Sequence, residues 1–326
     1  MKYVKKIGVI IIIPLVLFLM FSILAPGFGF NSLSVILSQS MIPLIIGFGM
    51  AFCLTGGLFD LSAGCQIVVA GVIGGYLSRV IGPAGLIIGC IVSGLVTGTL
   101  MGAVYRVTKI PSMVVSIGMI MVIEVLAKFM VGINSVMKIT QEVADVANGT
   151  NAYIYAIIAS VIFFLIYYKT RFATHLKALG CDEIVAKNMG VKTETVKMQS
   201  FIVAGLFFGI AAILQISYSA AMSVQLDTLT ISMAFKPIMG VLIGLQLLTV
   251  LDNMVIGIFV GEFAISMIFT GLIAMGLPAT TQNIFLGLFL VIVVAVSENS
   301  KRIRDMARRK KVRKDYEKTI KQAQSD

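Results

Sequence analysis

Tryptophan is absent from the chain, and histidine occurs once, at His175. A single imidazole excludes a His-rich metal site and a Ser-His-Asp triad of the usual kind. The four cysteines, Cys53, Cys65, Cys90 and Cys181, form no CxxC pair. Three of them lie inside apolar runs and read as free structural thiols. Charge is also scarce. Charged residues make up 13% of the chain and apolar residues 58%, whereas ordinary globular domains carry roughly 25% charged residues. With a mean hydropathy of +1.01, too little polar surface remains to clothe a water-soluble fold. The chain reads as an integral membrane protein. It also lacks a GxxxxGKS/T phosphate loop, an HExxH or GxSxG motif and any paired-carboxylate arrangement. It is therefore expected to be no enzyme, to bind no metal or cofactor, and to leave ATP hydrolysis to a partner.

What is abundant is long apolar sequence. Crossing the hydrocarbon core takes about 20 such residues, and ten runs qualify, near 7–25, 35–55, 61–80, 84–104, 111–131, 152–168, 196–217, 233–250, 254–275 and 281–297. The first is preceded by Lys2, Lys5 and Lys6, but it is long for a signal peptide and no A-x-A-like site follows, so it reads as a retained anchor. The net charge of +11 could suggest a nucleic-acid ligand, yet its distribution follows membrane topology. Eleven of the 26 Lys and Arg lie in the last thirty residues, and six lie between Lys169 and Lys197. Placing the N-terminus in the cytoplasm puts 22 of the 26 inside; Arg79, Lys128, Lys138 and Lys236 are the exceptions. Both termini are thus expected to be cytoplasmic. The chain divides into a transmembrane domain, 1–300, and a basic tail, 301–326, suited to anionic lipid. The loop 132–151 reads as external; the basic, helix-compatible loop 169–195 reads as internal.

Glycine, at 31 residues, is frequent for a helical protein. In lipid, small residues let helices approach closely, so Gly71–Gly74–Gly75 and Gly94–Gly98–Gly102 read mostly as packing faces. A different use is expected in the stretch Gly56-Gly57-Leu58-Phe59-Asp60-Leu61-Ser62-Ala63-Gly64, which breaks the pattern between two runs. There Asp60 and Ser62 are placed to cap the next helix, in a turn that can also border the transport path. Three ionisable residues fall inside runs, where they are costly: Glu124, Lys128 and Glu262. Glu124 and Lys128, one turn apart, are expected to neutralise each other. Glu262 lacks a partner in its own run.

The Gly56–Gly64 stretch resembles the glycine-glycine-x-aspartate-leucine-serine signature of permease subunits of ribose-type ABC sugar importers, a superfamily shared with branched-chain amino acid permeases. Two further blocks follow in the same order. Ile110-Pro111-Ser112-Met113-Val114-Val115-Ser116-Ile117-Gly118-Met119 is similar to the family's IPPFIVTLGM-like stretch. Ala178–Val191 (ALGCDEIVAKNMGV) resembles its AIGGNEEAARLSGI-like cytoplasmic loop. The likeness extends from about residue 35 to 297. It implies an all-α type II importer fold of about ten transmembrane helices in the bacterial plasma membrane. It also implies an ATPase subunit that holds ATP and Mg, a second permease subunit, identical or different, and an extracytoplasmic solute-binding protein. The third block would then be the ATPase-coupling helix, carried by Gly180, Asp182, Glu183, Ala186, Lys187 and Gly190, and the solute a sugar or sugar-like molecule. Two departures stand out: 239–248 (MGVLIGLQLL) keeps few glycines of the family's GGTSLSGG-like turn, and Glu124 stands where an arginine is frequent. An ion-coupled secondary transporter using Glu124, Glu262 or Asp60 is the alternative. It predicts transport without an ATPase and gives the amphipathic loop no role. A scaffold without transport is disfavoured by the ionisable groups kept within the runs.

Overall fold

A computed structural model describes residues 2–278, except 26, 133–135, 227 and 228, together with scattered positions between 284 and 295. Residues 1–277 form one unit, which holds every element named below.

Apolar sequence becomes helix because a backbone in lipid must satisfy its own hydrogen bonds. The first helix, α1 (Lys2–Leu24), leads into α2 (Phe30–Thr55). After the glycine-rich break come α3 (Ala63–Ile81) and α4 (Pro83–Thr108), a hairpin turned at Gly82. Gly82 takes φ +69°, a conformation costly to any residue with a Cβ, and Pro83 starts α4 where its missing N–H is harmless. Next is α5 (Ser112–Val131). The loop beyond it forms β1 (Val136–Lys138) and a short α6 (Gln141–Ala144), followed by α7 (Asn151–Lys169). The basic loop folds into α8 (Arg171–Cys181) and α9 (Glu183–Asn188). The long α10 (Thr193–Ser219) follows, then β2 (Ala221–Ser223), a 3-10 turn at Leu229–Ile231, and the hairpin α11 (Ser232–Leu251) and α12 (Met254–Ala274). Strands β1 and β2 pair antiparallel, with Met137 opposite Met222.

Seven helices, α2, α3, α4, α5, α7, α10 and α12, are long and apolar enough to cross a membrane. The expected runs 7–25 and 233–250 fall on α1 and α11, whose described apolar stretches, Pro14–Leu24 and Ser232–Leu248, are shorter. The run 281–297 lies largely outside the described residues, as does the tail 301–326.

The arrangement is two hairpins on two central helices. Hairpin α3–α4 packs on α10, hairpin α11–α12 packs on α2, and α2 and α10 pack on each other. Between helices in lipid there is no hydrophobic drive, so contact comes from close approach of backbones. At the α4–α10 crossing, a Cβ on Gly205 would stand 2.9 Å from the Gly98 Cα and meet the Gly94 carbonyl, and one on Gly209 would stand 2.6 Å from the Cys90 carbonyl. The α11–α12 crossing repeats the device with Gly244 against Gly257 and Gly240 against Gly261. Around the α2–α7–α10 seam the space is filled by rings instead: Phe48 stacks on Phe163 at 4.7 Å and Phe52 on Phe207 at 5.9 Å.

Gly205→Leu should therefore separate α4 from α10 and cost at least the about 1–3 kcal/mol of an overpacked core. The yield of monodisperse protein and its thermal midpoint in detergent should both fall. Gly118, on the exposed side of α5 with nothing within 4 Å of a would-be Cβ, should accept alanine with both unchanged.

Candidate functional site

The turn between α2 and α3 is almost wholly buried: Asp60 is 3% exposed and Ser62 fully buried. Asp60 was expected to cap α3 together with Ser62. It does so one step earlier. Its Oδ1 accepts from the Ser62 N–H (2.8 Å), the Ser62 hydroxyl (2.5 Å) and the Ser116 hydroxyl of α5 (3.2 Å). This closes an Asx turn that fixes the chain just before the helix begins, and Ser62 makes no side-chain cap bond to α3. The network continues sideways. Gln66 donates to the Ser62 hydroxyl (2.8 Å), and Thr97 of α4 donates to the Gln66 side-chain oxygen (3.3 Å). The Phe59 N–H donates to Ser112 at the start of α5 (2.9 Å). The signature turn thus ties α3, α4 and α5 together through polar groups.

A second break meets the first. Helix α5 rises about 1.5 Å per residue, so Glu124 lies about 18 Å from its start, well inside its length. There the buried Glu124 carboxylate accepts from the Thr230 N–H (3.3 Å) and from the Thr230 hydroxyl. The turn that starts α11 is therefore held at depth, by a carboxylate on a neighbouring helix. The Thr230 carbonyl occupies the place where a Cβ on Gly64 would stand, so the first turn of α3 touches the backbone preceding α11. Lys128, expected to neutralise Glu124, sits half-buried one turn on. The same carboxylate also receives an N–H and a hydroxyl at a helix start, which supports its charge with hydrogen bonds.

Glu262, fully buried on α12, faces α2 and α11. Its Oε1 lies 2.7 Å from a would-be Cβ on Gly47, and its carboxylate crowds Gly240. No described hydrogen bond reaches either oxygen. The cation whose field reaches it is Lys236 of α11, whose ammonium stands 4.4 Å from the Phe269 ring centre. Lys236 was visible in the sequence only as an exception to charge topology; nothing in its spacing linked it to Glu262.

At the end of the bundle where α2, α7 and α10 meet α8, the loop 169–195 forms a clamped bracket. Ala173, Leu176 and Leu179 bury one side of α8 at a spacing of three. Gly180 lies against the Thr55 carbonyl, and Leu176 Cδ1 would stand 2.6 Å from a Cβ on Gly56. Gly56 of the signature turn therefore sits directly on α8, while Gly57 beside it adopts φ +74°. Asp182 caps α9 by accepting from the Ile184 and Val185 N–H groups (2.9 and 3.0 Å). Glu183, half-exposed, bonds Lys197 of α10 at 2.5 Å. Ala186 is buried, Lys187 is exposed, and Gly190 takes φ +84° as the chain leaves α9. Outward stand Ile184, Val185 and Met189, 73%, 52% and 79% exposed. These three apolar residues were not among the expected site residues; their spacing around the buried Ala186 was the available signal.

Spanning helices broken and re-satisfied at depth, with a clamped bracket at one end showing apolar side chains, are the parts of a polytopic permease. Comparison with known proteins agrees. The chain belongs to the family described as branched-chain amino acid transport system / permease component, matched over residues 32–294. It is similar to the probable ABC transporter permease protein YphD of Escherichia coli (strain K12), 26% identical over 307 residues, 91% of this chain and 90% of that one. It is also similar to the galactose/methyl galactoside import permease protein MglC of Haemophilus influenzae, 25% identical over 286 residues, 80% of this chain and 84% of that one. No solved structure matches. The chain is a permease subunit of an ATP-binding cassette importer, a multi-pass membrane protein that works with a separate ATPase and a binding protein. The ion-coupled alternative is overturned by this membership.

Two substitution series check the buried turns. Asp60→Asn keeps an oxygen for the Ser62 N–H and should lower stability by about 1 kcal/mol or less. Asp60→Leu strands the Ser62 N–H and hydroxyl at about 1–3 kcal/mol each and should prevent accumulation of folded protein. At the second break, Thr230→Val should cost about 1–3 kcal/mol, and Thr230→Ser, which keeps the hydroxyl, should lose less. Thermal unfolding of the purified variants reads both; equal losses for Thr230→Val and Thr230→Ser would remove the Thr230 hydroxyl from the Glu124 site.

Proposed function

We propose that this permease subunit conducts a sugar, as a ten-helix protein with both termini in the cytoplasm, and that α9 is its contact with the ATPase. Work enters the bundle where ATP and Mg are bound and spent in the partner. A second permease subunit completes the pathway, and the binding protein delivers solute to the opposite face. The observation that carries the reading is the bracket α8–α9. An exposed apolar trio on and just after a six-residue helix is expensive to show to water and suits a groove on another protein. The clamp of Glu183 to Lys197 and of Gly180 to Thr55 gives a push on that trio a stiff route into α10 and α2. The sugar class rests on the galactose and methyl galactoside named for the Haemophilus relative. The basic loop and the N-terminal lysines support the orientation.

Co-expression of the tagged permease with its ATPase tests the contact. Val185→Asp, which puts a charge in the apolar trio, should cut ATPase recovery at least about tenfold. Gly190→Val, strained at φ +84°, should mis-aim α9 and do the same, with the permease folded. Full ATPase recovery with both variants would remove α9 from the interface. Uptake of labelled galactose by vesicles holding the assembled complex tests the sugar class.

A further inference from the structure

The bracket α8–α9 bears directly on α2, α7 and α10, and through Gly56 it touches the turn that starts the α3–α4 hairpin. The second hairpin, α11–α12, is reached by another route. Lys177 of α8 donates to the Tyr167 carbonyl at the end of α7 (3.1 Å). Its ammonium stands 3.9 Å from the Tyr167 ring centre and 4.8 Å from that of Tyr168. Burial pushes the Lys177 pKa down, yet a carbonyl and two ring faces surround the charge. The next link is covalent neighbourhood: the Tyr168 hydroxyl accepts from the Met254 N–H (2.7 Å) and donates to the Asp252 carbonyl (3.5 Å). Met254 is the first residue of α12, whose following amide, Val255, is taken by Asn253 (3.0 Å). One free amide at this helix start is thus satisfied within the turn and the other by a side chain from α7.

We infer that Tyr168 is a positioning residue that carries movement of the docking bracket into the α11–α12 hairpin, with Lys177 fixing Tyr167 and Tyr168 to α8. The inference rests on α9 being the ATPase contact. An interfacial tyrosine that merely anchors a helix in the membrane has no need of another helix's first amide; a strut does. The route matters because α12 also holds Glu262 against α2 and α11. A shift at Met254 therefore reaches a buried charge that has no described hydrogen bond to hold it.

The test is hydrogen exchange on the permease–ATPase complex in nanodiscs, comparing the nucleotide-free state with the complex trapped by ATP and orthovanadate. In the wild type, peptides covering 251–260 should exchange differently in the two states. In Tyr168→Phe, which keeps the ring and loses the hydroxyl, that nucleotide-dependent difference should shrink about fivefold, the factor set by one hydrogen bond. ATPase recovery and basal hydrolysis should stay at wild-type levels. Lys177→Met should shrink the difference in the same direction. A purely structural role would raise exchange of these peptides equally in both states and leave the difference intact, which would overturn the inference. So would a wild type whose 251–260 peptides ignore nucleotide. Failure of the wild type to retain the ATPase is a distinct result, since it overturns the docking role of α9 and the strut with it.

Discussion

A helix that begins inside a membrane leaves amide N–H groups with no water to receive them. This requirement governs the present structure more than any other. Two such beginnings lie back to back, at Ser62 before α3 and at Thr230 before α11, and the backbones touch at Gly64. At each, a carboxylate takes an amide just before the helix: Asp60 that of Ser62, and Glu124 of α5 that of Thr230. The acids that looked like liabilities in a chain with 13% charged residues are thus the groups that make broken helices affordable in lipid. Their position near the positive end of a helix further offsets the cost of their charge.

The helices that surround these breaks are held by contact of a kind that tolerates little displacement. Glycines at the α4–α10 and α11–α12 crossings leave backbone against backbone, with no side chain to yield. The two hairpins therefore behave as stiff pieces, each set on a central helix. Stiffness of this kind lets a small movement at one end appear at the other, because packed elements have few intermediate arrangements. The same logic makes sense of the bracket. It is fastened at Thr55, at Tyr167 and at Lys197, three helices at once, so it cannot shift without one of them.

Much of this was legible in the sequence. Seven of the ten expected runs coincide with described helices long and apolar enough to cross a membrane, because a run of about 20 apolar residues has few other uses. The break at Gly56–Gly64 was legible because glycines and an aspartate interrupt apolar sequence there. What spacing could not give were partners far apart along the chain. Glu124 has Lys128 four residues away, which spacing shows, and Thr230 more than a hundred away, which only the fold reveals. Likewise, nothing local shows that Lys197 returns beside Glu183. The outward trio was missed for the opposite reason: apolar residues in an apolar chain draw no notice until their neighbours are seen to be buried.

The contact of Gly56 and Thr55 with Leu176 and Gly180 has a bearing on how such permeases diverge. Two segments more than a hundred residues apart share an interface with no spare volume, so neither can enlarge unless the other recedes. Loops equivalent to 169–195, if exchanged between related permeases, would therefore arrive misfitted unless the end of α2 travelled with them. The unit of recombination is the pair, split across the chain, and its inheritance has to be joint.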